Sequence, residues 1–354
     1  MASLFEDASL VMIPSGYKDG KVYSIKPTNG DGDLTFTRSN DTATRVGPDG
    51  LIEKVRTNRI VQSQDFTTSW NPNSAPTRTA NTTVAPDGTT TGDTIAASGG
   101  GSGLYQFWTV ASGVEHSFSV YVKNISGATR IQIGCDTNPG NATVYFNTVT
   151  GAIISTGAGI TGSSVTDAGS GWYRVQGTYV STGTVNTFIL LGDAAMSFAA
   201  WGAQFETGVT TDYIATTTAA VTVGPVANLP RLDYLDSSCP KLLLEPQRSN
   251  LVTHSEQFDN AAWDKVTYPV TITANQTLSP SGYADADLIT PTAASSRHAV
   301  GQTTISATGG VVYTISAFFK KAVSQYVVLT DGGDSVWHIV TADLDSGTIT
   351  NQTN

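Results

Sequence analysis

Apolar and polar residues alternate with a period of two along much of this chain. In 117–123, Phe118, Val120 and Val122 fall on one side of an extended segment and Ser117, Ser119 and Tyr121 on the other. That is the spacing of a pleated strand with one covered face. Similar runs predict strands over 130–135, 142–146, 172–180 and 187–191. Asn138-Pro139-Gly140-Asn141, Thr150-Gly151, Ala168-Gly169-Ser170-Gly171 and Ser181-Thr182-Gly183 separate them, each a turn former through glycine's positive φ or proline's fixed one. Many short strands with regular turns predict a sandwich or barrel rather than a parallel sheet.

The pattern also repeats. Arg56-Thr57-Asn58, Ser63-Gln64-Asp65-Phe66 and Trp70 return as Arg248-Ser249-Asn250, Ser255-Glu256-Gln257-Phe258 and Trp263, an offset of 192 up to the Phe. After a small change in length the offset is 194: Thr79-Ala80-Asn81, Pro86-Asp87-Gly88 and Asp93-Thr94-Ile95 answer to Thr273-Ala274-Asn275, Pro280-Ser281-Gly282 and Asp287-Leu288-Ile289. Further on, 118–123 answers to 315–320, and Phe146-Asn147 with Gly151 answers loosely to Leu344-Asp345 with Gly347. Two modules of one fold are expected. The second copy lacks about the last 60 residues of the first. Half a sandwich leaves strand edges open, so its remaining strands are expected from a longer polypeptide or from a neighbouring chain.

Composition narrows the class. Only 14% of the 354 residues are charged and 35 are glycine, a balance suited to strands and turns rather than helices. The net charge of -10 argues against a nucleic-acid partner, which requires a basic stripe. Cys135 and Cys239 lie far apart and read as free, partly buried thiols, giving neither a disulfide framework nor a zinc site. The segment 1–13 carries Glu6 and Asp7 and no basic lead-in to an apolar core, unlike a secretory signal. No apolar run approaches the roughly 18 residues of a bilayer span, so no membrane insertion is expected.

Catalytic constellations are missing from the sequence. There is no Gly-x-Ser-x-Gly elbow, no His-Glu-x-x-His, and the one Gly-Lys, Gly20-Lys21, runs into Val22. His116, His254, His298 and His338 stand without a second ligand at metal spacing and read as surface or strand residues. Paired carboxylates for glycoside hydrolysis can meet from distant strands, which spacing leaves open. Asp31-Gly32-Asp33 and Asp331-Gly332-Gly333-Asp334 make Asp31, Asp33, Asp331 and Asp334 candidate calcium ligands, with turn formation the alternative. Trp70 and Trp263 recur in the repeat and read as core, as do Trp172 and Trp201. Trp108 and Trp337 are candidates for stacking on a sugar ring. No cofactor and no enzymatic activity are expected.

Three stretches carry a resemblance to a known family. The first is Leu34-Thr35-Phe36-Thr37-Arg38 with Ala43-Thr44-Arg45-Val46 and Gly50-Leu51-Ile52-Glu53. The second is Asn228-Leu229-Pro230-Arg231-Leu232-Asp233-Tyr234 with Cys239-Pro240 and the run 242–251, and the third is Ser255-Glu256-Gln257-Phe258 leading to Trp263. With these the chain resembles the phage head spike or head fibre family, common in phages of gut Bacteroidetes-type hosts. Gly171-Trp172-Tyr173-Arg174-Val175, Trp201-Gly202-Ala203-Gln204-Phe205-Glu206 and Tyr213-Ile214 close the first module as in such proteins. The family more often has Tyr-Ile-Pro-Thr where this chain has Tyr213-Ile214-Ala215-Thr216. In relatives Gly-Leu-Ile-Glu runs straight into Asn-Leu-Pro-Arg-x-Asp-Tyr, whereas residues 54–227 intervene here.

The resemblance implies a structural protein at the surface of a tailed-phage virion, assembled in the host cytoplasm. It implies a homotrimer docked on the major capsid protein or another virion protein through its N-terminal region, and host-surface glycan as a further partner. A tail fibre, or a glycan-binding or depolymerase protein whose catalytic domain lies beyond residue 354, is the alternative; a bacterial surface adhesin is a third reading. The expected architecture is all-β: tandem jelly-roll-like β-sandwich modules with a small N-terminal anchoring domain. The anchor covers 1–55, with 216–247 either completing it or serving as a linker. Module 1 covers 56–215, and module 2 covers 248–354, incomplete at its C-terminal side.

Overall fold

The computed structural model describes residues 4–353 apart from 19, 138, 247, 294, 296, 304 and 332–337. Two compact units divide the chain, Met1–Leu243 and Leu244–Asn354. The molecule is all-β, with one helical turn among the described residues, α1 (Leu4–Asp7).

In the first unit, β1 (Val11–Lys18), β2 (Lys21–Lys26) and β3 (Leu34–Thr35) form an antiparallel sheet, and β4 (Arg45–Val46) pairs with β5 (Ile52–Glu53). After β6 (Arg56–Asn58) come the sandwich strands: β7 (Asn71–Asn73), β8 (Thr77–Thr83), β9 (Gly92–Ala97), β10 (Ser102–Thr109), β11 (Glu115–Gly127), β12 (Arg130–Cys135), β13 (Ala142–Asn147), β14 (Ala152–Thr156), β15 (Ile160–Gly169), β16 (Trp172–Val180), β17 (Val185–Gly192) and β18 (Met196–Thr207). They make two six-stranded sheets, β14-β13-β12-β17-β10-β7 and β15-β16-β11-β18-β9-β8. This is the β-sandwich anticipated from the alternation, and the inward residues are those it marks. Phe118, Val120 and Val122 of β11 meet Ile131 and Ile133 of β12, Val144 and Phe146 of β13, and Phe188 and Leu190 of β17 in one core. Each such side chain contributes about 1.5–3 kcal/mol by leaving water.

The sandwich starts and finishes at one place. β6 pairs antiparallel with β19 (Val221–Val223), Arg56 opposite Val223. Beyond it the chain returns to the N-terminal segment. Arg38 donates to the carbonyls of Pro225 and Val226, Arg231 donates to the Thr44 carbonyl at 3.0 Å, and Asp233 accepts from the Val46 amide at 2.8 Å. Asp233 belongs to β20 (Leu232–Asp233), which pairs with β21 (Lys241–Leu242).

The second unit contains β22 (Val270–Thr277), β23 (Ala286–Pro291), β24 (Tyr326–Thr330), β25 (Ile339–Asp343) and β26 (Thr348–Thr353), and it repeats the first in hydrogen-bonding detail. Asp93 accepts from the amides of Phe66 (2.7 Å) and Asn81 (2.8 Å); Asp287 accepts from those of Phe258 (2.7 Å) and Asn275 (3.0 Å). The indole N–H of Trp70 donates to the Gln62 carbonyl at 3.1 Å, and that of Trp263 to the His254 carbonyl at 2.9 Å. Gln62 and His254 share a left-handed backbone, φ 53° and 50°, as do Asn81 and Asn275, φ 55° and 57°.

Two expectations about the repeat change. The Thr148 amide donates to the Thr129 carbonyl and the Leu344 amide to the Gln325 carbonyl, while Gly151 and Gly347 donate to Asn147 and Asp343. Asn147 therefore answers to Asp343, not Asp345, at a uniform offset of 196. Residues 315–320, expected as the counterpart of β11, lie outside every strand. In the first copy β11 is paired between β16 and β18. Among the described residues of the second unit no strand stands beside 315–320, and Phe318 is 76% exposed.

Candidate functional site

The residues singled out in the sequence do not converge. Asp33 accepts from the amide and hydroxyl of Ser24 at 2.8 and 3.2 Å, and Asp31 exchanges hydrogen bonds with Asn29, so both serve turns. Asp331 holds the amide of His338, and the imidazole Nδ1 lies 3.0 Å from each carboxylate oxygen. Asp334 and Trp337 lie outside the described residues. Among the described residues, no three His, Cys, Asp or Glu side chains gather as a metal centre.

Trp108 is redirected by strand register. Along β10 the even positions Leu104, Gln106 and Trp108 turn inward, and the Trp108 ring meets Phe205 edge-on at 4.6 Å. The indole expected to stack on a sugar is thus half-buried and packed against the core, and the neighbouring Phe107, 61% exposed, faces solvent. Trp172 and Trp201 are buried as expected. Their N–H groups donate to the Val84 carbonyl (2.8 Å) and the Thr91 hydroxyl (3.0 Å), so the loop around 84–91 is tied to the outer face of the second sheet. Trp70 is buried, stacked on Phe66 at 4.8 Å, whereas Trp263 is half-buried.

The outer face of the first sheet is different. Its register places residues in rows across the strands. One row runs Asn71, Tyr105, Ile189, Gly134, Thr143, and the next Asn73, Gly103, Leu191, Gln132, Tyr145. A Cβ on Gly103 would collide with the Leu190 carbonyl oxygen and one on Gly134 with that of Ala142. Strand approach therefore demands glycine at both positions, and each leaves a gap in its row. The result is an apolar floor of Ile189 and Leu191 with half-buried Tyr105 on one side and half-buried Tyr145 on the other. The Arg130 guanidinium lies over the Tyr145 ring at 4.5 Å, fixing its plane. Asn71, Asn73 and Gln132 supply amides, each both donor and acceptor. Aromatic faces, an apolar floor and rim amides together suit a ligand with C–H faces and a hydroxyl edge.

Other polar groups are consumed by the fold. His116, expected at the surface or in a strand, lies in β11 and is buried, its Nδ1 3.3 Å from the Glu206 carbonyl. Burial pushes its pKa below the ordinary imidazole value. Tyr213, whose hydroxyl is 2.6 Å from that of Ser63, is pushed up to about 12, chiefly by burial. Both cysteines are free as expected, but neither is partly buried: Cys135 is closed from solvent and Cys239 is exposed. Taken singly, Tyr105, Phe107 and Tyr145 carry no mark in the sequence that sets them apart from core aromatics. The available signal was two adjacent aromatics in one strand, of which only one can face inward.

No protein-family model matches the chain, and no curated protein matches it. Among solved structures it is similar to the CBM22-1–GH10 modules of the Clostridium thermocellum N-terminal endo-1,4-beta-D-xylanase 10B complexed with xylohexaose. That likeness has 16% identity and a TM-score of 0.29, over 46% of this chain and 30% of that one. It is also similar to the CBM22-1 xylan-binding domain of Paenibacillus barcinonensis Xyn10C, at 12% identity and a TM-score of 0.28, over 44% of this chain and 94% of that one. The chain thus spans under a third of the xylanase structure, and with scores this low the sandwich stands on its own strands and core.

Proposed function

We propose that this chain is a non-catalytic fibre or spike protein of a bacteriophage virion, attached to the capsid, whose sandwich modules contact glycans of the host surface. The observation that carries the glycan contact is the outer face of the first sheet: Tyr105, Tyr145 and exposed Phe107 beside an apolar floor and an amide rim. Such a face binds by stacking and hydroxyl recognition and needs no reacting group. The virion assignment rests on the sequence resemblance. An apolar N-terminal sheet supports it: Leu10, Ile13, Tyr23 and Ile25 are exposed there, with Leu4 and Phe5 of α1, a surface fit to dock on a capsid or other virion protein. Weak contacts multiplied over a trimer and many copies give useful avidity.

Two measurements test this. On a glycan array the chain binds a host-surface polysaccharide, and Tyr105→Ala with Phe107→Ala weakens binding by about tenfold or more, the loss of one or two stacked rings. An antibody against residues 60–215 labels the heads of intact particles. Label at the tail tip makes the protein a tail fibre, label on host outer membrane an adhesin, and sugar release by the chain a depolymerase; any of these overturns the reading.

A further inference from the structure

The first module carries a second concavity. A recess of about 180 Å³ is lined by Gln62, Gln64, Asp65, Asn81, Thr91 and Thr217, with Thr216 beside them. Every lining residue has a polar side chain, and none is aromatic. Its walls are firmly built: the Gln62 amide donates to the Thr217 carbonyl at 2.6 Å, the Asn81 amide is held by Asp93, and the Thr91 hydroxyl receives the Trp201 indole. These ties use backbone groups and the Thr91 hydroxyl. Among the described residues the side-chain amides of Gln62 and Asn81 have no hydrogen-bond partner, and four donor or acceptor atoms remain for a ligand.

Size and charge define what fits. Drug-sized ligands occupy about 300 Å³ or more, so this recess takes a single ring. The Asp65 carboxylate accepts from the Thr67 amide and from the hydroxyls of Thr67 and Thr68 at 2.6–2.8 Å. Burial pushes that carboxyl up, but these hydrogen bonds outweigh burial and hold it below the ordinary carboxylate value. The recess therefore carries a fixed negative charge and repels anionic sugars. In the second module His254, Glu256, Gln257 and Asp285 replace Gln62, Gln64, Asp65 and Thr91, and only the asparagine is kept as Asn275. One amide becomes an imidazole, one amide and the hydroxyl become carboxylates, and the Asp65 carboxylate becomes an amide, so the same ligand is not expected there.

We propose that the recess bounded by Gln62, Asn81 and Thr217 binds one neutral pyranose unit through its hydroxyls, as a subsite separate from the aromatic face of the first sheet. It deepens the glycan reading above and rests on it. The test is saturation-transfer NMR on the full chain with the methyl glycosides of glucose, galactose, mannose and N-acetylglucosamine, and with methyl glucuronide. At least one neutral glycoside receives saturation and the glucuronide none. Thr217→Arg, at an exposed position, fills the recess, and Asn81→Gly removes the amide while accepting the left-handed backbone; each abolishes the transfer with the fold intact by circular dichroism. No transfer to any neutral glycoside, transfer to the glucuronide, or transfer that survives either variant overturns the proposal. Tyr105→Ala leaves the transfer in place, so array binding lost in that variant while the recess stays silent would sink this inference and leave the sheet-face reading standing.

Discussion

Asp93 fastens three separate parts of the first module: strand β9, which carries it, the Phe66 amide and the Asn81 amide. Removing it leaves two backbone N–H groups without their acceptor, each costing about 1–3 kcal/mol when buried. Asp93→Ala is therefore expected to destabilise the first unit by about 3 kcal/mol in denaturant unfolding, and Asp287→Ala to act likewise in the second. Burial raises both carboxyls above their ordinary value of 3.8. Their ionised forms are thus disfavoured by folding, and the stability these groups add below the ordinary range is lost as pH rises through the raised one. His116 works in the opposite sense. Its folded pKa lies below 6.5, so stability is full above that value and falls as pH drops through it toward the folded one. The melting temperature is expected to decline between about pH 7 and 5, and His116→Phe, which keeps the stack on Phe205, to flatten that decline. Such roles were only partly legible: the recurrence of Asp93 as Asp287 was visible, but that a histidine in an alternating strand is sealed from water depends on the strands that flank it.

At the scale of elements, the period-two runs located β12 and β16 to the residue and β11, β13 and β17 to within a few, because each has one face in the core. Parity, not composition, then decided the site. Gln106, Phe107 and Trp108 are consecutive, and the ladder of β10 with β17 assigns them to opposite faces. Period alone does not say which face is which where both carry aromatics. The run 315–320 shows the converse. Its alternation is strand-like, yet a strand is made by its neighbours, and β11 owes its ladder to β16 and β18. Hydrogen–deuterium exchange is expected to separate the two: amides of 118–123 protected to near the global unfolding limit, those of 315–320 exchanging within seconds. Protection of 315–320 equal to that of 118–123 would contradict the fold described for the second unit.

On the scale of the whole molecule, a sandwich is set into a smaller structure rather than threaded in line with it. Hydrogen bonds join 38–46 with 225–233, and the strands leading in and out, β6 and β19, are paired with Arg56 opposite Val223. That residues 54–227 stand between Gly50-Leu51-Ile52-Glu53 and Asn228-Leu229-Pro230-Arg231 was readable in the sequence; the pairing that closes this insertion was not, since Arg56-Thr57-Asn58 and Val221-Thr222-Val223 carry no mutual signature. That pairing has a mechanical result. A pull applied at residues 55 and 224 opens β6 from β19 like a zip, one rung at a time, and only then reaches the sheets. A load that parts the two stems is thus met first by this short seam, and the sheets of the sandwich are spared until it has opened.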